Sequence, residues 1–110
     1  DEDIRFAEIS AIGAVGRAVF GLYDLNEQEY HSLTFNQPLE LVSLNGNLSR
    51  KDGEPYLHLH AAFADEEGAV IGGHLNEAVI SATCEMFIRT FDIDMGRRIS
   101  EQTGLNIFDI

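Results

Sequence analysis

Apolar positions in this chain come in short runs separated by turn residues, at intervals suited to β-strands rather than helices. Residues 4–12 carry apolar side chains at 4, 6, 7, 9, 11 and 12, a pattern that fits the end of a helix or an entering strand. Residues 14–23 read as a strand interrupted by glycine, residues 24–27 as a turn, and residues 30–35 as the returning strand. Pro38 introduces an alternating run over residues 39–48, and the polar stretch 50–55 forms a solvated turn. Strands over 56–64 and 69–72 follow, joined through Asp65-Glu66-Glu67-Gly68. A long β-branched and aromatic run spans residues 78–91, and residues 105–110 predict a short terminal strand. No repeat, low-complexity tract or Pro/Gly/Ser linker divides the chain, so residues 1–110 are expected to form a single domain. The pattern predicts a mainly antiparallel sheet with little helix.

Charge narrows the partners. Seven Lys and Arg stand against 19 Asp and Glu, a formal charge of −12 that repels phosphate backbones and anionic membranes. No apolar run reaches the roughly 18 residues that a spanning helix needs. The opening Asp1-Glu2-Asp3-Ile4-Arg5 is acidic where a secretory leader is basic and then apolar, and the absence of an initial Met fits a trimmed or partial chain. The single cysteine, Cys84, has no internal disulfide partner, which predicts a cytoplasmic setting. Phe63, Phe87, Phe91 and Phe108 supply apolar surface for the chain's own core or for contact between copies.

The candidate chemistry lies in three histidines: His58 and His60 in an H-x-H pair, and His74 beyond a hairpin. Residues i and i+2 of a strand share a face, so His58 and His60 are neighbours. A three-residue loop, Glu66-Glu67-Gly68, would pair Asp65 with Ala69 and hence His60 with His74, with Gly68 suited to its left-handed position. A two- or four-residue loop would slip the register by one and turn His74 to the other face. The Gly72-Gly73 pair offers a second place for the strand to bend. Three converging imidazoles suit zinc or a similar divalent metal and leave one position open to water or substrate. The competing reading is three polar side chains on a solvated sheet face.

Other features carry less chemistry. The cupin pattern also begins with H-x-H but expects a carboxylate three or four residues later, where this chain has Phe63 and Ala64. His31 reads as a surface residue and Cys84 as a buried structural thiol. Glu85 breaks the apolar run 80–88; it either faces solvent or serves the histidines as a partner or general base. There is no G-x-G-x-x-G or P-loop, and Asp65-Glu66-Glu67 lacks the spacing of a calcium loop.

The stretch Gly53-Glu54-Pro55-Tyr56-Leu57-His58-Leu59-His60, followed by Gly68 and then Gly72-Gly73-His74-Leu75, resembles the plants-and-prokaryotes conserved (PPC) domain family. Ile12-Gly13-Ala14-Val15, the run Leu39-Glu40-Leu41-Val42-Ser43-Leu44-Asn45-Gly46, Ser81-Ala82-Thr83-Cys84-Glu85 and Thr103-Gly104-Leu105 extend the resemblance over nearly the whole chain. It implies an α+β fold, mainly antiparallel β-sheet with few helices, assembling as a homotrimer. It also implies that His58, His60 and His74 hold a metal, commonly zinc. Family members usually carry a further strand and helix before the Ile-Gly-Ala-Val segment, which about eleven residues precede here. Plant members join the domain to an AT-hook, and prokaryotic members often carry a DNA-binding label. This chain has no Arg-Gly-Arg-Pro hook, and its basic clusters, Arg50-Lys51 and Arg97-Arg98, are small against the acidic field. The leading expectation is a trimeric metal-binding domain with a role in small-molecule binding or regulation. A metal-dependent enzyme using Glu85, and a DNA-associated regulator acting through a partner, are the alternatives.

Overall fold

A computed structural model describes residues 3–110; Asp1 and Glu2 of the acidic opening lie outside them. The chain forms seven strands: β1 (Phe6–Asp24), β2 (Glu29–Phe35), β3 (Leu39–Lys51), β4 (Glu54–Ala64), β5 (Val70–Phe91), β6 (Arg97–Ile99) and β7 (Asn106–Phe108). No helix occurs among the described residues, so the expected α+β class is corrected to all-β. The helical part of that expectation came from the family resemblance and from the helical alternative for residues 4–12, of which residues 6–12 enter β1.

The first five strands form an antiparallel sheet in the order β2-β1-β3-β4-β5, and β1 also pairs with β5. One edge of β1 is taken by β5, while the other is shared between β3, opposite residues 7–15, and β2, opposite residues 18–24. The ring β1-β3-β4-β5 therefore closes on itself. Two pairs of expected segments merge: residues 4–12 and 14–23 become one strand, and β5 runs through residues 73–77 without a break. At about 3.3 Å per residue the 22-residue β5 has a contour of roughly 70 Å, yet the longest dimension of the molecule is 42 Å. Register shifts at Gly13/Val15, Val15/Arg17 and Val19/Phe20 of β1 absorb the required bending.

Glycine makes the closure possible where β5 passes between β4 and β1. A Cβ on Gly72 would lie 2.1 Å from the Ala61 carbonyl oxygen, and one on Gly73 would lie 2.4 Å from that of Gly21. The Gly-Gly pair thus lets three backbones approach beside His74.

The core sits on one face, where Phe20, Phe63 and Val15 are fully buried among Ile9, Ala11, Leu39, Leu41 and Leu44. Phe20 stacks on Phe35 at 5.3 Å and on Phe63 at 5.5 Å between ring centroids. Cys84 is half-buried against this cluster. Of the aromatics singled out, Phe63 joins the core, whereas Phe87 is 77% exposed. Replacing Phe63 by Ala removes a fully buried ring, and a loss of about 3–5 kcal/mol in unfolding free energy is expected from denaturant titration.

Candidate metal centre

The β4–β5 turn sets the site. Asp65 N–H donates to the Ala69 carbonyl at 2.9 Å and Gly68 N–H to the Asp65 carbonyl at 3.0 Å. The Asp65 carboxylate also accepts the Glu67 and Ala69 amides, each at 2.9 Å. Gly68 has φ +83°, which a side chain would strain. This is the three-residue loop, and the register that follows places His60 directly opposite His74. Across the other edge of β4, His60 faces Asn45, His58 faces Asn47 and Tyr56 faces Ser49. Opposed residues in an antiparallel ladder share a face, so these side chains form one polar surface on the side away from Phe63 and Ala61.

On that surface the three imidazoles converge, with ring centroids 5.0, 5.3 and 5.6 Å apart. One ring nitrogen from each lies within 4.8 Å of those of the others. His58 Nε2 and His60 Nε2 are 3.2 Å apart. Two nitrogens bound to one tetrahedral zinc at about 2.0–2.1 Å are separated by about 3.3 Å, so the donor set fits such an ion. The Tyr30 hydroxyl lies within hydrogen-bond reach of the His74 carbonyl oxygen and the Asn76 side chain, and its ring packs edge-on against the His74 imidazole at 5.7 Å.

Burial holds the pKa of His58 and of His74 below the ordinary imidazole value of 6.5. The His60 imidazole reinforces the shift at both, and His74 and the Arg97 guanidinium add to it at His58. Neutral imidazole, the form that ligates a metal, is thereby favoured.

The triad opens on a cavity of about 840 Å³. Its walls include Leu22, Leu25 and Tyr30 from the β1–β2 hairpin, and Leu105, Ile107 and Phe108 around β7. Among the described residues, no carboxylate lines it. Arg97, absent from the expected site, lies in this wall. Its Nε donates to the fully buried Ser49 Oγ at 2.8 Å, its Nη2 to Asn47 Oδ1 at 2.8 Å and its Nη1 to the Asn106 carbonyl at 3.2 Å. The guanidinium carbon is 4.9 Å from the Tyr56 ring centroid and 4.3 Å from that of Phe108. The only sequence signal was the Arg97-Arg98 pair.

Glu85 is not brought to the cluster. It is exposed and pairs with Ile12, whereas His74 pairs with Gly21, because β5 continues along β1 instead of folding back. The role of general base or histidine partner expected for it is thereby corrected. His31 is exposed opposite Leu22. The basic clusters are engaged within the chain: Arg50 with the Ile4 carbonyl and Asp3, Lys51 with Asp52, and Arg98 with Asp109.

A closed all-β sheet with a three-histidine cluster on its polar face defines the class of domain. The model of the Plants and Prokaryotes Conserved (PCC) domain matches residues 1–92, and the chain belongs to that family. Among solved structures, a metal-containing protein from Archaeoglobus fulgidus is 43% identical with a TM-score of 0.89, the match covering 96% of this chain and 74% of that one. A plant- and prokaryote-conserved protein from Pyrococcus horikoshii is 33% identical with a TM-score of 0.88, covering 97% and 74%. A Bacteroides thetaiotaomicron protein provisionally named as DNA-binding is 28% identical with a TM-score of 0.93, covering 96% and 74%. The bifunctional protein GlmU of Synechococcus sp. (strain JA-3-3Ab) is 35% identical over 81 residues, 73% of this chain but only 12% of that relative's length.

In metal-free protein both shifted histidines make stability depend on pH. Above 6.5 they are neutral in both states; as pH falls below 6.5 the unfolded chain takes up protons first, and stability declines until the folded imidazoles also titrate. Urea midpoints of chelator-treated protein should fall between about pH 7.5 and about pH 5, and the slope should flatten in His58→Gln and His74→Gln.

Proposed function

We propose that this domain binds a zinc-like divalent ion through His58, His60 and His74 and presents it to a small-molecule ligand in the adjoining cavity. The observation that carries the reading is the convergence of three ring nitrogens within 4.8 Å at the mouth of that cavity. The metal-containing relative, 43% identical, supports it. Three imidazoles leave a tetrahedral ion one position for water or ligand, and a bound ion would supply Lewis-acid chemistry there. Ligand binding or regulation is favoured over hydrolysis because no carboxylate lines the cavity among the described residues. Direct DNA binding is disfavoured by the charge of −12 and by the pairing of Arg50, Lys51 and Arg98 with carboxylates of the chain itself. A cytoplasmic setting, in which Cys84 stays reduced, completes the reading.

Elemental analysis tests it. About one zinc per chain is expected in reconstituted wild-type protein and a large loss in His60→Ala, whose side chain is exposed and whose removal spares the core. Wild-type protein that takes up no zinc would sink the metal reading.

The domain is further proposed to act as a homotrimer. Val79, Ile80, Met86, Phe87, Ile88 and Phe91 of β5 are all exposed, and apolar side chains left open in this way are candidates for burial between copies. Sedimentation should give a trimer for wild-type protein and a smaller species for Phe87→Glu.

A further inference from the structure

Arg97 is a cation without a counter-ion. Of the seven cations, Arg5, Arg17, Arg50, Lys51 and Arg98 each reach a carboxylate at 3.2–3.8 Å; among the described residues Arg89 and Arg97 reach none, and of these two Arg89 is exposed to solvent whereas Arg97 lines the cavity. Its three hydrogen bonds all go to neutral oxygens. A guanidinium carries five N–H donors, so two remain. Partial burial lowers its pKa, which means that the charge is poorly solvated where it stands. In a chain with 19 acidic residues, no carboxylate among the described residues lines this cavity wall to oppose the guanidinium's field.

Its position is fixed relative to the histidines. Arg97 holds Asn47, which is directly opposite His58, and Ser49, which is opposite Tyr56. The guanidinium therefore sits within about one same-face step of His58, roughly 7 Å along the ladder. The Tyr56 and Phe108 rings lie against it in cation–π contact and, with its three hydrogen bonds, hold it in place. A planar fork held in this way matches the two oxygens of a carboxylate. Beyond it, Leu22, Leu25, Leu105 and Ile107 offer an apolar wall.

We propose that Arg97 is the anion-binding residue of the cavity and that the ligand is a small carboxylate with an apolar body, its carboxylate received by the guanidinium beside the histidine cluster. The proposal rests on the metal reading only for the ligand's second contact; the Arg97 contact stands without it.

Benzoate and its neutral isostere benzamide are suitable probes, titrated by calorimetry into wild type, Arg97→Lys and Arg97→Gln, with zinc content measured on the same samples. Wild-type protein should bind benzoate at least roughly tenfold more tightly than benzamide. Arg97→Gln should lose most of that preference while keeping its zinc, and Arg97→Lys should recover part of it. Equal binding of the two probes, unchanged benzoate affinity in Arg97→Gln, or binding of inorganic phosphate in place of benzoate would overturn the proposal. If Arg97→Gln does not fold, the comparison of benzoate with benzamide on wild-type protein decides alone. If wild-type protein takes up no zinc, the metal reading fails separately. The titration of metal-free protein then supports the proposal by an Arg97-dependent benzoate preference and overturns it by the lack of one.

Discussion

Everything at this site depends on a register of pairing between two strands. Side chains on a strand alternate faces, so a slip of one residue between β4 and β5 would send His74 to the side of Phe63 and leave two imidazoles where there are three. The turn prevents the slip. The Asp65 carboxylate gathers the amides of Glu67 and Ala69, and Gly68 takes a backbone conformation that other residues resist. A few local hydrogen bonds thereby decide the chemistry of a surface several residues away.

The same ladder divides the molecule's two tasks. Toward the core, Ala61 and Phe63 of β4 and Leu44 and Leu41 of β3 build the buried cluster. Toward the cavity, His58 and His60 alternate with them and meet Asn45 and Asn47. The β6–β7 hairpin then roofs part of the polar face, held by Arg97 at one end and by the Tyr23 hydroxyl donating to the Thr103 carbonyl at the other. An acidic protein thus contains a small region whose ionisable groups, among the described residues, are imidazole, guanidinium and phenol.

How much of this could be read from the sequence follows from the range of the forces involved. The histidine register was legible because it depends on a loop of three residues and on a period of two, both local. The fusion of residues 4–12 with 14–23 was not, because Gly13 looks like a break until the backbone of Thr83 is known to lie 2.3 Å from where its Cβ would be. Residues 73–77 show no strand pattern in the sequence because polar Asn76 and Glu77 obscure it; pairing of Glu77 with Val19 keeps them extended. Arg97 was legible only as part of a basic pair, since its partners at 47, 49, 56 and 108 are gathered by tertiary structure. Glu85 stayed open between a solvent-facing and a site role for the converse reason: a polar residue in an apolar run says nothing about which end of a long strand it occupies, and the structure leaves it exposed opposite Ile12.

β5 carries a last consequence. Much of its second half contributes little to the buried core, so its apolar side chains are hydrated in an isolated chain. Any surface that covers them binds the folded form and not the unfolded one, and so enters the folding equilibrium by mass action. If copies of the chain cover that strand, as proposed, the resistance of the domain to heat or urea is not an intrinsic constant. In the proposed trimer it would rise with the logarithm of the protein concentration, and dilution alone would act as a denaturant.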